Sequence, residues 1–429
     1  MAINVRTRAA GLVVLAVGVS IALAGCSSGG SSSSGSSGSG SSSGSSSDSS
    51  VLGKVNKAKG DPVVVGVLNL ESGPVTFPEA LTAEKAAVSY VNEYKGGIGG
   101  HPIKIVSCAT DGQPSTSQRC ANQLLDQNPV AILGAADTGA PGAIPVWERA
   151  NLPYLGGVPF TPAEQSSSDA VIFSSVSSGD NAAASVYAGK TLGAKSAAVI
   201  YTSDTQGTSV AENVIIPVMK NVGIDKITKV SIAPTSSDVS SAVATAVSGS
   251  PDVIYVDAPA ACPNILSSLK QLGSTAKIIG VDPCTSPAAI KGANGGADGL
   301  YFAAPVIDPG ANTAETKLYL AVIKKYAPAD MALDSIATIG FQTVMNVQAA
   351  LADFTTADLT KDKILKAFTD GSDHKSFMGH PYTCDGKALP GAPAVCSAYQ
   401  QIRQVKGTSI VVASKDWVTA GKYFTGASQ

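Results

Sequence analysis

From residue 62 onward the apolar positions fall into two alternating kinds of block. Short continuous runs occur at Pro62–Asn69 (PVVVGVLN), 103–107 (IKIVS), 130–134 (VAILG), 153–157 (PYLGG) and 171–175 (VIFSS). Such β-branched runs, without polar alternation, mark strands covered on both faces. The intervening segments carry helical spacing. Residues 79–94 place Ala80, Ala83, Ala87, Val91 and Tyr94 three or four apart, and further helices are expected at 115–126, 141–150 and 179–192. The pattern then restarts: strand 197–201, helix 206–222, strand 227–232, helix 236–248, strand 252–257, helix 262–272 and strand 277–281. Ser236 or Ser237 is the expected N-cap of the 236–248 helix. Strands alternating with helices make βαβ units and parallel sheets. Two series predict an α/β chain of two doubly wound parallel-sheet lobes. Ligands sit beyond the carboxyl ends of such strands. Two lobes facing through those ends enclose a cleft that a hinge can close.

The first 60 residues follow neither period. Residues 1–10 contain Arg6 and Arg8 and no acid, and residues 11–24 (GLVVLAVGVSIALA) are uncharged. As a helix that run spans about 20 Å, short of a hydrocarbon core of about 30 Å. A basic start, a short apolar segment and small residues at its end make a secretory signal. Leu23-Ala24-Gly25-Cys26 resembles the lipobox of bacterial lipoproteins. That resemblance implies cleavage before Cys26, acylation of Cys26 and attachment to the outer face of the cell membrane. Residues 27–50 are almost entirely Ser and Gly. They have no apolar surface to offset the entropy of ordering, so a disordered tether is expected over 26–61, with a reach of about 25–30 Å over its Ser/Gly part.

Composition narrows the partners. Charged residues make up 14% and the formal net charge is −2, without a basic stripe, so nucleic acid is excluded as a partner. No apolar run after Cys26 reaches the length of a membrane span. A monomer is expected, without a cofactor. Setting Cys26 aside leaves Cys108, Cys120, Cys262, Cys284, Cys384 and Cys396. Three disulfides suit an exported chain; the cysteines allow 15 pairings, and the count does not choose among them. Pairing of neighbours, 108 with 120, 262 with 284 and 384 with 396, is the expectation, each bond contributing on the order of 3 kcal/mol. A metal site finds no support, since His101, His374 and His380 lack ligand spacing.

Enzyme motifs fail on inspection. Gly189-Lys190-Thr191 lacks the upstream glycine of a phosphate loop, because Ala184 stands there. Residues 292–299 (GANGGADG) precede a short strand rather than open a helix. No G-x-S-x-G elbow occurs in the body.

The segments VGVLNLESGPVTF (65–77), YVNEYKGGIGGHPIKIV (90–106), DSIATIGFQTVMNVQAAL (334–351) and FMGHPYTCDGKAL (377–389) together resemble type I periplasmic binding proteins of the branched-chain amino acid class. The resemblance implies a solute-binding protein of an ABC importer, with a permease and an ATPase as partners, capturing an amino acid or amide-like solute. A ligand sensor of the same fold that signals to a membrane receptor is the alternative. It also implies three crossings between lobes, near 176–179, 303–306 and 395–400. Lobe 1 is then 62–177 with 305–396, and lobe 2 is 178–304 with 397–429.

The resemblance places a ligand carboxylate on lobe 1, in the loop of Asp137 and Thr138 and in that of Phe160 and Thr161; Ser72 and Phe77 are ligand-site candidates in the first loop, where Phe77 matches an aromatic of the class. Thr138 sits where a helix begins, which suits an anion. Asp137 opposes one unless paired or turned away. On lobe 2, Asp282 falls where the class uses an acid for the ligand ammonium. Asp257 is a second acid on that rim, and Gln206 falls where relatives often carry an aromatic. A carboxylate facing an ammonium in a closed cleft makes a charge-assisted bond.

Overall fold

The computed structural model describes residues 50–73 and 75–426. Cys26 and the signal segment lie outside the described residues, as does the Ser/Gly tract up to residue 49. Among the described residues the strands form two sheets. The first has the order β2-β1-β3-β4-β5, from Val63–Leu70 (β1), Ile103–Thr110 (β2), Ala131–Ala136 (β3), Tyr154–Val158 (β4) and Ala170–Val171 (β5). All of its pairings are parallel.

The second sheet has the order β12-β11-β10-β9-β8-β6-β7. It comprises Ser196–Thr202 (β6), Lys226–Ile232 (β7), Val253–Asp257 (β8), Lys277–Gly280 (β9), Tyr301–Ala304 (β10), Gln401–Lys406 (β11) and Ser409–Val412 (β12). β6 to β10 are parallel, and β11 and β12 add an antiparallel edge. The chain is thus two doubly wound lobes, each with its strand order reversing beside its first strand.

Helices cover both faces of each sheet. In lobe 1, Pro78–Tyr90 and Ser335–Leu351 pack with Val65, Val67, Leu133 and Leu155. On the opposite face Leu68, Ile132, Ile144 and Trp147 form a second cluster. The close approach of helix Ser335–Leu351 to β4 depends on glycine. Gly156 and Gly157 have φ of +73° and +82°; a Cβ on Gly156 would lie 2.8 Å from the Thr343 Cβ of that helix, and one on Gly157 would lie 2.6 Å from the Gly134 backbone in β3. The Gly157 N–H donates to Thr343 Oγ1 at 2.9 Å. Lobe 2 repeats the scheme, with Val199, Tyr255 and Ile279 facing one helical layer and Ile200, Ile254 and Phe302 the other.

Three passages join the lobes. After β5, Ile172 forms a bridge with Val395, and the chain reaches helix Ser178–Lys190 through Ser177. Ser177 has φ 62° and ψ −82°, in the strained γ-turn region. After β10, Val306 bridges Gly379. The last passage runs from Cys396 to β11. The disulfides are Cys108–Cys120, Cys262–Cys284 and Cys384–Cys396.

Several local expectations are corrected. Residues 52–59 are not free tether: Leu52 is buried, and the N–H groups of Asn56, Ala58 and Lys59 donate to the carbonyls of Glu93, Asn92 and Gly100. The 79–94 helix is Pro78–Tyr90 followed by a wide turn, Val91–Lys95, ended by left-handed Gly96. The 206–222 helix widens at Ala211–Ile215, just before Pro217, which has no N–H to continue an ordinary ladder. The 236–248 helix is Ser240–Val247. Neither Ser236 nor Ser237 caps it; Asp238 instead accepts the Ser240 N–H at 3.0 Å. The 171–175 strand keeps only Val171 in the sheet, because the chain peels away into the first passage.

Candidate functional site

In open parallel sheets the crevice lies at the carboxyl ends of the strands, where the strand order reverses. In lobe 1 that point lies between β1 and β3, and in lobe 2 between β6 and β8. The loops after these strands carry Ser72, Phe77, Asp137 and Thr138 on one side and Gln206 and Asp257 on the other. The two rims meet. Asp282, after β9, feels the charge of Asp334 and the hydroxyl of Ser335 at the head of lobe 1 helix Ser335–Leu351. Asp334 in turn acts on Glu79, in the first turn after β1. The carboxyl ends of the sheets therefore face each other.

On lobe 1 most rim groups are bonded within the lobe, while Asp137 Oδ2 and Asn69 Oδ1 are buried without a partner. The Ser72 hydroxyl donates to the Thr110 carbonyl at 3.1 Å. Thr161 caps Pro162–Ser166: its N–H and hydroxyl both donate to Glu164 Oε2, at 2.9 Å each. The Tyr154 hydroxyl donates to Glu164 Oε1 at 3.0 Å. Burial pushes Glu164 up to about 8 against the pull of these bonds. Asp137 is buried and turned into the protein. Its Oδ1 accepts from the Thr110 hydroxyl at 2.8 Å and from the Gly139 N–H at 3.1 Å. Burial raises its pKa, opposed by Ser117, Thr110 and Gly139. Thr138 is exposed, with its hydroxyl 3.5 Å from the Gly112 carbonyl. Phe77 and Phe160 stack, centroids 5.3 Å apart at 29°, and form an apolar wall from two loops far apart in sequence.

Lobe 2 is different in kind. Asp257 stands at about 7, raised by burial and then by Asp204. Asp282 stands at about 6, raised by burial and then by Asp334, and drawn back by Arg403. Asp180, in the first turn of Ser178–Lys190, reaches about 8 through burial, with Asp257 and Asp282 adding to the rise and the Asn181 and Ser177 bonds opposing it. Each keeps some exposed area while protein surrounds the rest of the carboxyl. The Cys262–Cys284 bond ties the Asp282 turn to helix Cys262–Gln271, which follows β8. Gln206 Nε2 reaches Ser177 Oγ at 3.5 Å, so it touches the hinge.

Sequence reasoning does not single out Asp180, Glu79, Asp334 or Arg403. The first three read as ordinary helix-start acids, and Asp334 is indeed an N-cap, accepting the Ala337 N–H at 2.9 Å. Arg403 is 2% exposed. It bonds the Val306 carbonyl and pairs with Asp308 at 3.4 Å. No local signal marks a strand arginine as buried by a partner so distant in the chain.

Among the described residues no group of three potential ligands could hold a metal ion. What the geometry offers is a cleft with an apolar aromatic wall and an acidic floor.

Solved structures share this architecture. A leucine-binding protein from Thermotoga maritima is 18% identical, with a TM-score of 0.67 over 82% of this chain and 98% of its own. The branched-chain amino acid transporter substrate-binding protein of Streptococcus pneumoniae, in complex with isoleucine, is 17% identical, with a TM-score of 0.67 over 84% of this chain and 100% of its own. A fatty acid ABC transporter substrate-binding protein from Thermomonospora curvata is 17% identical, with a TM-score of 0.70 over 86% of this chain and 96% of its own. No curated protein matches the chain. The pattern of the family described as periplasmic binding protein matches residues 62–396. This chain belongs to the periplasmic binding protein family.

Proposed function

We propose that the protein is the extracytoplasmic solute-binding component of an ABC importer. It captures a small polar solute between its lobes and presents it to a permease, without making or breaking a bond. The observation that carries this reading is the meeting of two switch-point rims across three passages, with Asp282 of one lobe against Asp334 and Ser335 of the other. Ligand that touches both rims binds the closed form better than the open one, and that difference in affinity drives closure. The Cys26 lipobox and the Ser/Gly tract support a lipid anchor on the outer face of the membrane. Among the described residues no helix is long and apolar enough to cross a membrane.

Of the solutes for which the similar structures are named, a fatty acid fits this cleft least, because its carboxylate would meet Asp180, Asp257 and Asp282. A solute held through nitrogen, such as an amino acid or amide-like compound, fits better. A thermal-shift screen of amino acids, amides, amines and fatty acids tests the reading. One chemical class should raise Tm in proportion to the logarithm of its concentration once saturating. A folded chain that no solute stabilises would contradict capture.

A further inference from the structure

The geometry points to an organic cation with two or more amino groups on a flexible carbon chain, a diamine or polyamine, as the solute of this cleft. This rests on the solute-capture reading above and narrows it. A simple amino acid needs a carboxylate clamp on lobe 1, and the groups that would supply it are engaged. The hydroxyls of Ser72 and Thr161 donate to Thr110 and Glu164. At the head of helix Ala140–Arg149, where an anion would dock, the protein's own Asp137 already takes the Gly139 N–H. A ligand carboxylate there would face a fixed carboxyl.

The rest of the cleft asks for positive charge at several separated points. Asp180, Asp257 and Asp282 act on one another or on shared neighbours from lobe 2, joined by Asp204. Glu79 and Asp334 continue the series on lobe 1. Arg403 faces Asp282 and is already held by Asp308 and the Val306 carbonyl. Among the described residues no three of the acids converge on one point as a metal ion requires. Spread carboxyls match ammonium groups spaced along a chain, and the stacked Phe77 and Phe160 suit the methylenes between them.

One orphaned polar atom gives independent support. Gln400 is fully buried with Oε1 unpaired. Its Nε2 donates to the Ser175 carbonyl at 2.8 Å, which fixes the orphan as an acceptor. That amide packs against Gly179, the residue before Asp180. Buried polar groups in folded chains have partners, and each exception calls for one. An ammonium brings three donors and no acceptor.

A cation entering such a cleft displaces protons from the acids, so affinity rises with pH over the range in which they titrate. The test is calorimetry on the full-length chain in non-ionic detergent. Spermidine, 1,4-diaminobutane, leucine and decanoate are titrated separately at pH 6 and pH 8, in two buffers of different ionisation enthalpy. Spermidine is expected to bind with proton release and at least tenfold more tightly at pH 8. Leucine and decanoate are expected to give no binding heat. Asp282→Asn and Asp257→Asn should each weaken spermidine at least tenfold while the chain stays folded by circular dichroism. Binding of leucine or decanoate without spermidine would overturn the inference and leave solute capture standing. Spermidine binding unchanged in both variants would overturn it as adsorption outside the cleft. Silence from all four probes on folded protein would also overturn it, and the wider thermal-shift panel would then decide the capture reading separately.

Discussion

The two rims share a topology and differ in how their polar groups are treated. Lobe 1 bonds most of its rim groups to one another: Thr161 and Tyr154 serve Glu164, Thr110 serves one oxygen of Asp137, and Ser72 is tied to Thr110. Lobe 2 holds Asp180, Asp257 and Asp282 with pKa values of about 8, 7 and 6, raised first by burial and then by neighbouring carboxyls, with Asp257 and Asp282 both acting on Asp180. The same fold thus supplies one wall whose shape is fixed before any ligand arrives and one wall whose charge is not yet answered. Shape and charge come from different halves, so they can be broken separately.

The largest effect should come from lobe 1 shape. Gly157→Val puts a side chain at φ +82° and against the Gly134 backbone. A loss of more than about 3 kcal/mol is expected, read by urea unfolding. A stable variant with unchanged midpoint would show that β4 can move away from β3 without cost.

Next comes the staple of the charged wall. Removing Cys262–Cys284 by double alanine substitution opens a loop with a sequence separation of 22 and should cost about 3 kcal/mol. It should also weaken ligand binding by loosening the Asp282 turn, whereas removing Cys108–Cys120 should lower stability alone.

The pH profile sharpens the contrast further. The lobe 2 acids have folded-state pKa values above their ordinary ones. The stability they confer is therefore fully present below about pH 4 and is lost as pH rises through 6 to 8. Glu164, at about 8, and Glu84, buried with both oxygens unpaired, act in the same direction. Ligand-free protein should unfold at lower temperature at pH 8 than at pH 5. Asp282→Asn should recover on the order of 2–3 kcal/mol at pH 8, about half of that at pH 5 and almost nothing at pH 3. A profile that rises with pH would remove the idea of unanswered charge.

The smallest effect belongs to Ser72→Ala. Its hydroxyl sits on an exposed loop, so both stability and ligand affinity should change by no more than about 0.5 kcal/mol.

The sequence displays the parallel strands well, because β1, β3, β6 and β8 are apolar on both faces and cannot be surface segments. It displays the cleft acids only partly. Asp257 and Asp282 follow strands directly and are visible as rim residues. Asp180 and Asp334 begin helices, where an acid is ordinary, so nothing local separates a cap from a ligand group. Residues 52–59 read as linker because backbone bonds to Glu93, Asn92 and Gly100 anchor them, and such bonds leave no mark in side-chain pattern. The edge strands β11 and β12 stay hidden for a related reason. Their alternation places Arg403 where a solvent-facing residue is expected, and its burial depends on Asp308 across the hinge.

Carboxyl carbon NMR of the folded chain with labelled aspartate, from pH 3 to pH 9 with and without spermidine, tests the charged wall most directly. The account predicts that Asp180, Asp257 and Asp282, assigned by substitution, titrate between about pH 6 and 8 when empty, as their burial and neighbouring carboxyls require, and shift to lower pH when spermidine is bound. Titration of all three near pH 4 in the empty protein, unmoved by spermidine, would contradict it.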